Sequence, residues 1–217
     1  PCSAVKFLED TSISGVINTT GFTNVDGAET LQKSAYNLNA EAPRLMAEAC
    51  AERGLPFIHI SSGYVFGGNQ REPYKPYDIR SPINVYGKSK ALGEDSVMAA
   101  GGQSLVLRTS WLYNGVSKNF LTTMLKLAQE MDSIPVVHDQ LGRPTYADHL
   151  AEACLIVLTR MPKTPKIYNV SNTGHIVSWA EFAREIFKQS GIDCPVRNIT
   201  TAELPRDAAR PAYSAMD

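Results

Sequence analysis

Leu55-Pro-Phe-Ile-His-Ile60, running on into Ser61-Ser-Gly-Tyr64, decides how this chain is read. The first six residues are mostly apolar and read as a short strand, and the polar residues after them mark its end. A loop rich in Gly, Pro and Asn then runs from 61 to about 85. Loops of that length in compact domains usually carry function. Upstream, Gly54 stops a helical pattern that starts near residue 31, with Leu38, Leu45, Met46 and Ala49 on one face. Pro43 is predicted to kink or restart that helix. Before it, Gly15-Val-Ile-Asn18 reads as a buried strand.

Downstream the alternation continues. A helix is predicted over 86–100, stopped by Gly101-Gly102, then a strand over 104–108. A helix over 119–130 and a strand over 134–137 follow. Next comes a helix over 145–159 with Thr145 as its N-cap. A strand over 166–170 precedes a helix from Ser178 to about 190, opened by the capping box Ser178-x-x-Glu181. A last strand is predicted over 195–199. Strands alternating with helices predict an α/β fold, a parallel sheet flanked by helices. Ligands bind such sheets beyond the carboxyl ends of the strands. Here those ends are residues 18–21, 61–64 and 108–113.

Bulk properties narrow the function classes. The chain has 217 residues, 43% hydrophobic and 20% charged, which predicts a globular core. Its net charge of -1 and lack of a long basic run argue against nucleic acid or an anionic membrane as partner. No apolar stretch approaches the roughly 20 residues that span a bilayer. Lys6, Glu9 and Asp10 occupy the place where a secretory leader would be apolar. Cys2, Cys50, Cys154 and Cys194 form no CxxC pair and no zinc-finger spacing, so no metal site is expected. A reducing, cytoplasmic setting is.

The chemistry starts from Tyr86-Gly-Lys-Ser-Lys90. Residues four apart share a helix face, which sets the phenol and the ammonium side by side. A cation beside a phenol lowers its pKa from about 10 and makes it a proton donor usable near neutral pH. Alone, the pair reads more readily as a surface contact. Ser61 and Ser62, at the end of the preceding strand, add a hydroxyl facing the same crevice. Ser, Tyr and Lys together describe carbonyl reduction, with a hydride from a cofactor and a proton from the tyrosine.

These residues resemble a family. The run Ile60-Ser-Ser-Gly-Tyr-Val-Phe-Gly-Gly68, then Ser81-Pro-Ile-Asn-Val-Tyr-Gly-Lys-Ser-Lys90 with Gly93-Glu94, is similar to the extended short-chain dehydrogenases. Within them it resembles the dTDP-4-dehydrorhamnose reductase family. Asn18-Thr-Thr-Gly-Phe-Thr-Asn-Val-Asp26, Arg108-Thr-Ser-Trp-Leu-Tyr113, His138-Asp-Gln-Leu-Gly-Arg-Pro-Thr145 and Arg210-Pro-Ala-Tyr-Ser214 carry the likeness across nearly the whole chain. The resemblance implies a Rossmann-like sheet in residues 1–140 and a small C-terminal α/β substrate lobe, mainly 141–217, interleaved with it. It implies NADPH or NADH as cofactor and a dTDP-4-keto-6-deoxy sugar as substrate, reduced at its 4-keto group to give dTDP-L-rhamnose or a related product. It allows a homodimer.

By the same resemblance, Ser62 polarises the substrate carbonyl, Tyr86 is the catalytic acid, and Lys90 holds the nicotinamide ribose and tunes the tyrosine. Thr19, Thr20, Gly21 and Thr23 line the cofactor, and Tyr64 and Trp111 contact substrate. Trp111 has a second reading as a core aromatic, and Asn119 as either a structural or a substrate-side group. Two departures stand out: Gly63 and Gly67 occupy positions where the family commonly has an acidic residue, which removes charge from the crevice. The family's glycine-rich phosphate turn is also not found in the sequence. The expectation is therefore an N-terminally truncated Rossmann part whose first βα units are absent, inactive by itself. A related sugar-nucleotide epimerase or dehydratase is the nearest enzymatic rival. A non-catalytic regulatory subunit resembling the beta subunit of methionine adenosyltransferase is the rival of another class.

Overall fold

Apolar strand sequences assemble here into a parallel sheet whose two faces are both covered. The computed structural model describes Lys6 and residues 12–217. Residues 1–5 and 7–11, Cys2 among them, lie outside the described residues. The sheet has the order β1 (Val16–Asn18), β2 (Phe57–Ser62), β3 (Ser104–Thr109), β8 (Lys166–Asn169), and every pairing is parallel. Successive side chains point to opposite faces. Phe57 and Val106 therefore pack with Met46, Cys50 and Val97 on one side. Ile58, Leu105 and Leu107 pack with Leu150 and Cys154 on the other. The first side is covered by α3 (Ala42–Glu52) and α4 (Val85–Ala100), the second by α6 (Ala147–Leu158).

The helix expected from residue 31 onward is divided. It consists of α2 (Gln32–Tyr36), a π-helical turn over Asn37–Glu41, and α3, and a short helix that was not expected, α1 (Val25–Thr30), precedes it. Pro43 directly follows the π-turn within a continuous helical run, where the regular ladder is already interrupted because Ala42 N donates to Asn37 O, five residues back. π-Turns concentrate at functional sites, and this one buries Asn39.

A second layer forms from α5 (Phe120–Glu130), α7 (Trp179–Ser190) and the parallel pair β5 (Ile134–Val137) and β10 (Val196–Ile199). Its core holds Met124, Ile134, Val136, Ile186 and Phe187. Two short pairings tie this layer to the sheet: β4 (Leu112–Tyr113) with β7 (Thr145–Tyr146), and β6 (Leu141–Gly142) with β9 (Val177–Ser178).

The start of α7 follows its sequence signal and the start of α6 does not. Asn119 caps α5 through a capping box, and Ser178 with Glu181 caps α7 as predicted. Gly191 ends α7 at φ +65, a left-handed conformation that favours glycine. Thr145 does not cap α6. It pairs with Leu112 in β7, and the helix begins at Ala147 after Tyr146, which makes no side-chain cap. Strand pairing has taken the residue that the local pattern offered as a cap.

The segment over 208–217 runs back beneath the sheet's carboxyl ends. Tyr74 N donates to Ala215 O at 2.9 Å and Leu141 N to Ala212 O at 2.8 Å. Tyr213, Ala215 and Met216 pack against Val65, Phe66 and Tyr74. Among the described residues no helix is long and apolar enough to cross a membrane.

Candidate active site

The end of β2 and the start of α4 meet through backbone. Ser62 ends the strand, and its Oγ accepts from Tyr64 N at 3.2 Å, turning the chain into a 3-10 turn over Gly63–Val65. Asn84 caps α4 by accepting from Gly87 N at 2.7 Å and also donates to Ala209 O at 2.8 Å. Glu29 Oε1 accepts from Val85 N at 2.8 Å. A Cβ on Gly87 would run into the Tyr64 carbonyl oxygen, so glycine is what lets the helix start against the turn. These contacts set Tyr86, on the first turn of α4, over Ser62. Both side chains line one crevice. The Tyr64 ring meets the Tyr86 ring edge-on, with centroids 5.6 Å apart.

Electrostatics here differ from the simple expectation. Burial pushes the Tyr86 phenol up from its ordinary value, and the neighbouring Ser62 hydroxyl acts the other way. Lys90 Nζ donates to Ile60 O at 2.6 Å. Burial brings the Lys90 ammonium down to about 8, against the nearby charge of Glu94. Tyr64 is pushed up to about 12 by burial, with Arg210 acting the other way. The shared helix face is real, but the lysine side chain turns toward the strand.

Ser61 and Ser62 also part company. Adjacent strand residues face opposite ways, and Ser61 Oγ donates to the buried Glu94 at 2.6 Å. Glu94 also accepts from Arg108 Nε at 2.8 Å and Nη2 at 2.6 Å, and from Arg80 at 3.1 Å. Arg108 donates onward to Pro76 O at 2.9 Å and lies 4.9 Å from the Phe66 ring centre. This buried network fixes the ends of β2 and β3 against α4.

The loop after β1 is fixed by two asparagines. Asn18 Oδ1 accepts from Thr20 N at 3.0 Å and Thr20 Oγ1 at 2.7 Å, and its amide pairs with His59 Nδ1 at 3.0 Å. Asn39 Oδ1 accepts from Phe22 N at 2.8 Å, and its amide donates to Phe22 O at 3.1 Å and Ser89 Oγ at 2.9 Å. Ser89 Oγ donates in turn to Tyr86 O at 2.8 Å. One chain of hydrogen bonds therefore runs from the loop to the tyrosine's own backbone.

A crevice of about 230 Å³ opens between these parts. Thr19, Thr20, Gly21 and Thr23 line one side, and Ser62, Tyr86, Lys90 and Trp111 line the rest. Every residue expected at the cofactor or the reacting centre reaches it. Tyr64 instead lines a larger neighbouring cavity of about 440 Å³, together with Trp179, Arg206 and Arg210. Asn119 lies apart as the cap of α5, the structural one of its two readings. Three contributors escaped the sequence reading. Asn39 was signalled only as an amide within a helical pattern, Trp179 as an aromatic after a cap, and Arg206 not at all.

The crevice fits a nicotinamide ribose on its own evidence. Thr109 Oγ1 and Ser110 Oγ line it, buried and without a partner. Lys90 uses one N–H on Ile60 O and has others to give. Gly21 faces Lys90 and Asn39 with no side chain of its own, and a Cβ there would stand 2.9 Å from Asn39 Oδ1. Hydroxyl groups placed there would find donors and acceptors already set.

The chain matches a known family over its whole length. The sequence model of the RmlD substrate binding domain covers residues 1–217. Spore coat polysaccharide biosynthesis protein SpsK of Bacillus subtilis (strain 168) is 41% identical over 201 residues, 93% of this chain and 70% of that protein. A dTDP-4-dehydrorhamnose reductase of Mycobacterium tuberculosis (strain H37Rv) is 39% identical over 222 residues, 100% of this chain and 72% of its own length. The crystal structure of dTDP-4-dehydrorhamnose reductase from Bacillus anthracis str. Ames in complex with NADP superposes with a TM-score of 0.95 at 35% identity, covering 100% of this chain and 76% of that one.

Proposed function

Since the chain belongs to the RmlD substrate binding domain family, we propose that it reduces the 4-keto group of a dTDP-4-dehydro-6-deoxyhexose such as dTDP-4-dehydro-L-rhamnose, using NAD(P)H. The observation that carries this reading is the convergence of Ser62 and Tyr86 on one crevice that is lined also by a buried lysine and by threonines. No feature favours the regulatory-subunit reading, and none of the named relatives supports it.

When bound, NAD(P)H supplies the hydride. The rest is the work of this chain's side chains. Ser62 Oγ–H is placed to hydrogen-bond the substrate carbonyl oxygen, which draws electron density away from the carbon. Tyr86 gives its proton to that oxygen as the alcohol forms. Its raised pKa keeps the proton in place until then. The resulting phenolate is held by the Ser62 hydroxyl and by the positive charge of Lys90 in a site where water does not screen either. Thr19, Thr20, Gly21, Thr23 and Lys90 hold the cofactor. Tyr64 and Trp111 hold the sugar, and the larger cavity, with Arg206 and Arg210 on its wall, receives the nucleotide diphosphate.

The substrate lobe in this reading is the layer in which α7 and β10, from residues 141–217, pack with α5 and β5 from the preceding stretch. The protein acts in the cytoplasm, a setting in keeping with the free thiols of Cys50, Cys154 and Cys194. Incubation of the full protein that contains these residues with dTDP-4-dehydro-L-rhamnose and NADPH, followed by product analysis, tests the function. Cofactor oxidation with formation of a 4-hydroxy sugar nucleotide is expected. Isomerised sugar without net cofactor oxidation would point to an epimerase instead.

A further inference from the structure

Trp111 is the one non-glycine residue with a positive φ, +50, among the described residues. A bulky side chain reaches that conformation only where its surroundings over-determine it. The surroundings are visible. The Trp179 ring stacks on Trp111 with centroids 3.5 Å apart and planes 8° from parallel. Gly142 also abuts the ring: a Cβ there would stand 2.5 Å from Trp111 Cε2. Trp111 O accepts from Thr145 N at 3.1 Å, which ties the strained residue to β7.

Trp179 is itself held firmly. It is the first residue of α7, directly after Ser178, whose capping box with Glu181 fixes the helix start. Phe120 braces its ring at 4.4 Å. The stacked pair also has a distinctive place: Trp111 lines the smaller crevice and Trp179 the larger cavity. Together they form the partition between the two.

We propose that Trp179 is a positioning residue for sugar-nucleotide binding, whose stack on the strained Trp111 holds that ring as the wall between the two cavities. This rests on the functional reading above, which places sugar on one side of the wall and nucleotide on the other. Trp179 acts on affinity for the sugar nucleotide through Trp111. It touches neither the proton donor nor the threonine loop.

The sequence contains two tryptophans, so the stack has its own spectroscopic mark. Parallel indoles in contact couple their excited states and give an exciton couplet in far-ultraviolet circular dichroism. The wild-type protein is expected to show the couplet, and Trp179→Phe or Trp111→Phe to lose it. Trp179→Ala should raise KM for dTDP-4-dehydro-L-rhamnose by about tenfold, the upper range for one aromatic pair. NADPH affinity should stay at its wild-type value, and kcat should change far less than KM. Trp179→Phe, which restores a flat ring, should recover most of the KM. If Trp179→Ala does not fold, Trp179→Leu, which fills space without stacking, takes its place with the same expectation.

Absence of the couplet from the wild type would overturn the proposal. So would a wild-type KM in the Ala or Leu variant, or an equal loss of NADPH and sugar-nucleotide affinity. A wild-type protein that shows the couplet but binds no dTDP-keto sugar would instead remove the functional reading, and the proposed role with it.

Discussion

Tyr86, on the first turn of α4, and Ser62, at the end of β2, line the same crevice, so that helix and strand meet across its floor. Removing the phenol oxygen takes away the proton donor and leaves the ring. Tyr86→Phe is expected to lower kcat by at least about 100-fold, the low end for general acid catalysis, with NADPH binding retained. Steady-state kinetics and a cofactor titration on the same sample check this, and turnover within threefold of wild type would remove Tyr86 from the mechanism.

Lys90 carries a pH dependence. Burial brings its ammonium down to about 8, so the cation that steadies the phenolate is present below that pH and lost as pH rises through it. The profile of kcat/KM, which reports the free enzyme, should fall on an alkaline limb centred near pH 8. Lys90→Arg, which stays charged, should move that limb upward even if its activity is lower. A wild-type profile flat to pH 10 would contradict the assignment.

Gly87 tests how tightly the tyrosine is placed. A Cβ there would collide with the Tyr64 carbonyl, and α4 would have to shift at its start. Misplacement of a reacting group by about 1 Å costs as much as about 100-fold in rate. Gly87→Ala is expected to lower kcat by at least about tenfold, more than it raises KM for NADPH. A wild-type kcat would show that the contact between turn and helix is soft.

The Glu94–Arg108 pair makes a stability prediction. Both side chains are sealed from solvent. Removing one partner strands the other charge, a loss of about 3–5 kcal/mol. Glu94→Gln should therefore lower Tm by about 6 °C or more, at about 2–4 °C per kcal/mol for a chain of this size. The double variant Glu94→Leu/Arg108→Met should recover part of the loss, because neither charge is then left unpaired. Thermal unfolding followed by circular dichroism measures both.

Much of the fold was legible in the sequence because it depends on local period. Buried strands such as Phe57–Ser62 and Ser104–Thr109 announce themselves as apolar runs, and the capping box at Ser178 is written within four residues. Tyr86 and Lys90 were legible as a pair one helical turn apart, and Ser62 as a polar strand end.

What stayed hidden depends on partners far along the chain. The direction of Lys90 is set by Ile60 O, and that of Ser61 by Glu94. Nothing near Asn39 announces the π-turn that aims it at Phe22. Thr145 shows the converse, a good local cap overruled by pairing with Leu112. Trp179 follows a legible cap, yet its stacking partner lies in another layer.

The segment over 208–216 adds an order of events. Asp26, at the start of α1, accepts from Ala208 N at 3.1 Å and from Arg210 Nη2 at 2.8 Å, while Met216 packs under the 63–65 turn, its Sδ 3.4 Å from where a Gly63 Cβ would be. Chains are made from the amino end at about 5–20 residues per second, and contacts between distant positions form late. On the ribosome, β1, β2 and β3 are therefore made well before the residues that close over their ends. On the proposed mechanism a nascent chain has its proton donor, Tyr86, early and the parts that close the crevice late, so the chemistry would become available only as synthesis of this region is completed.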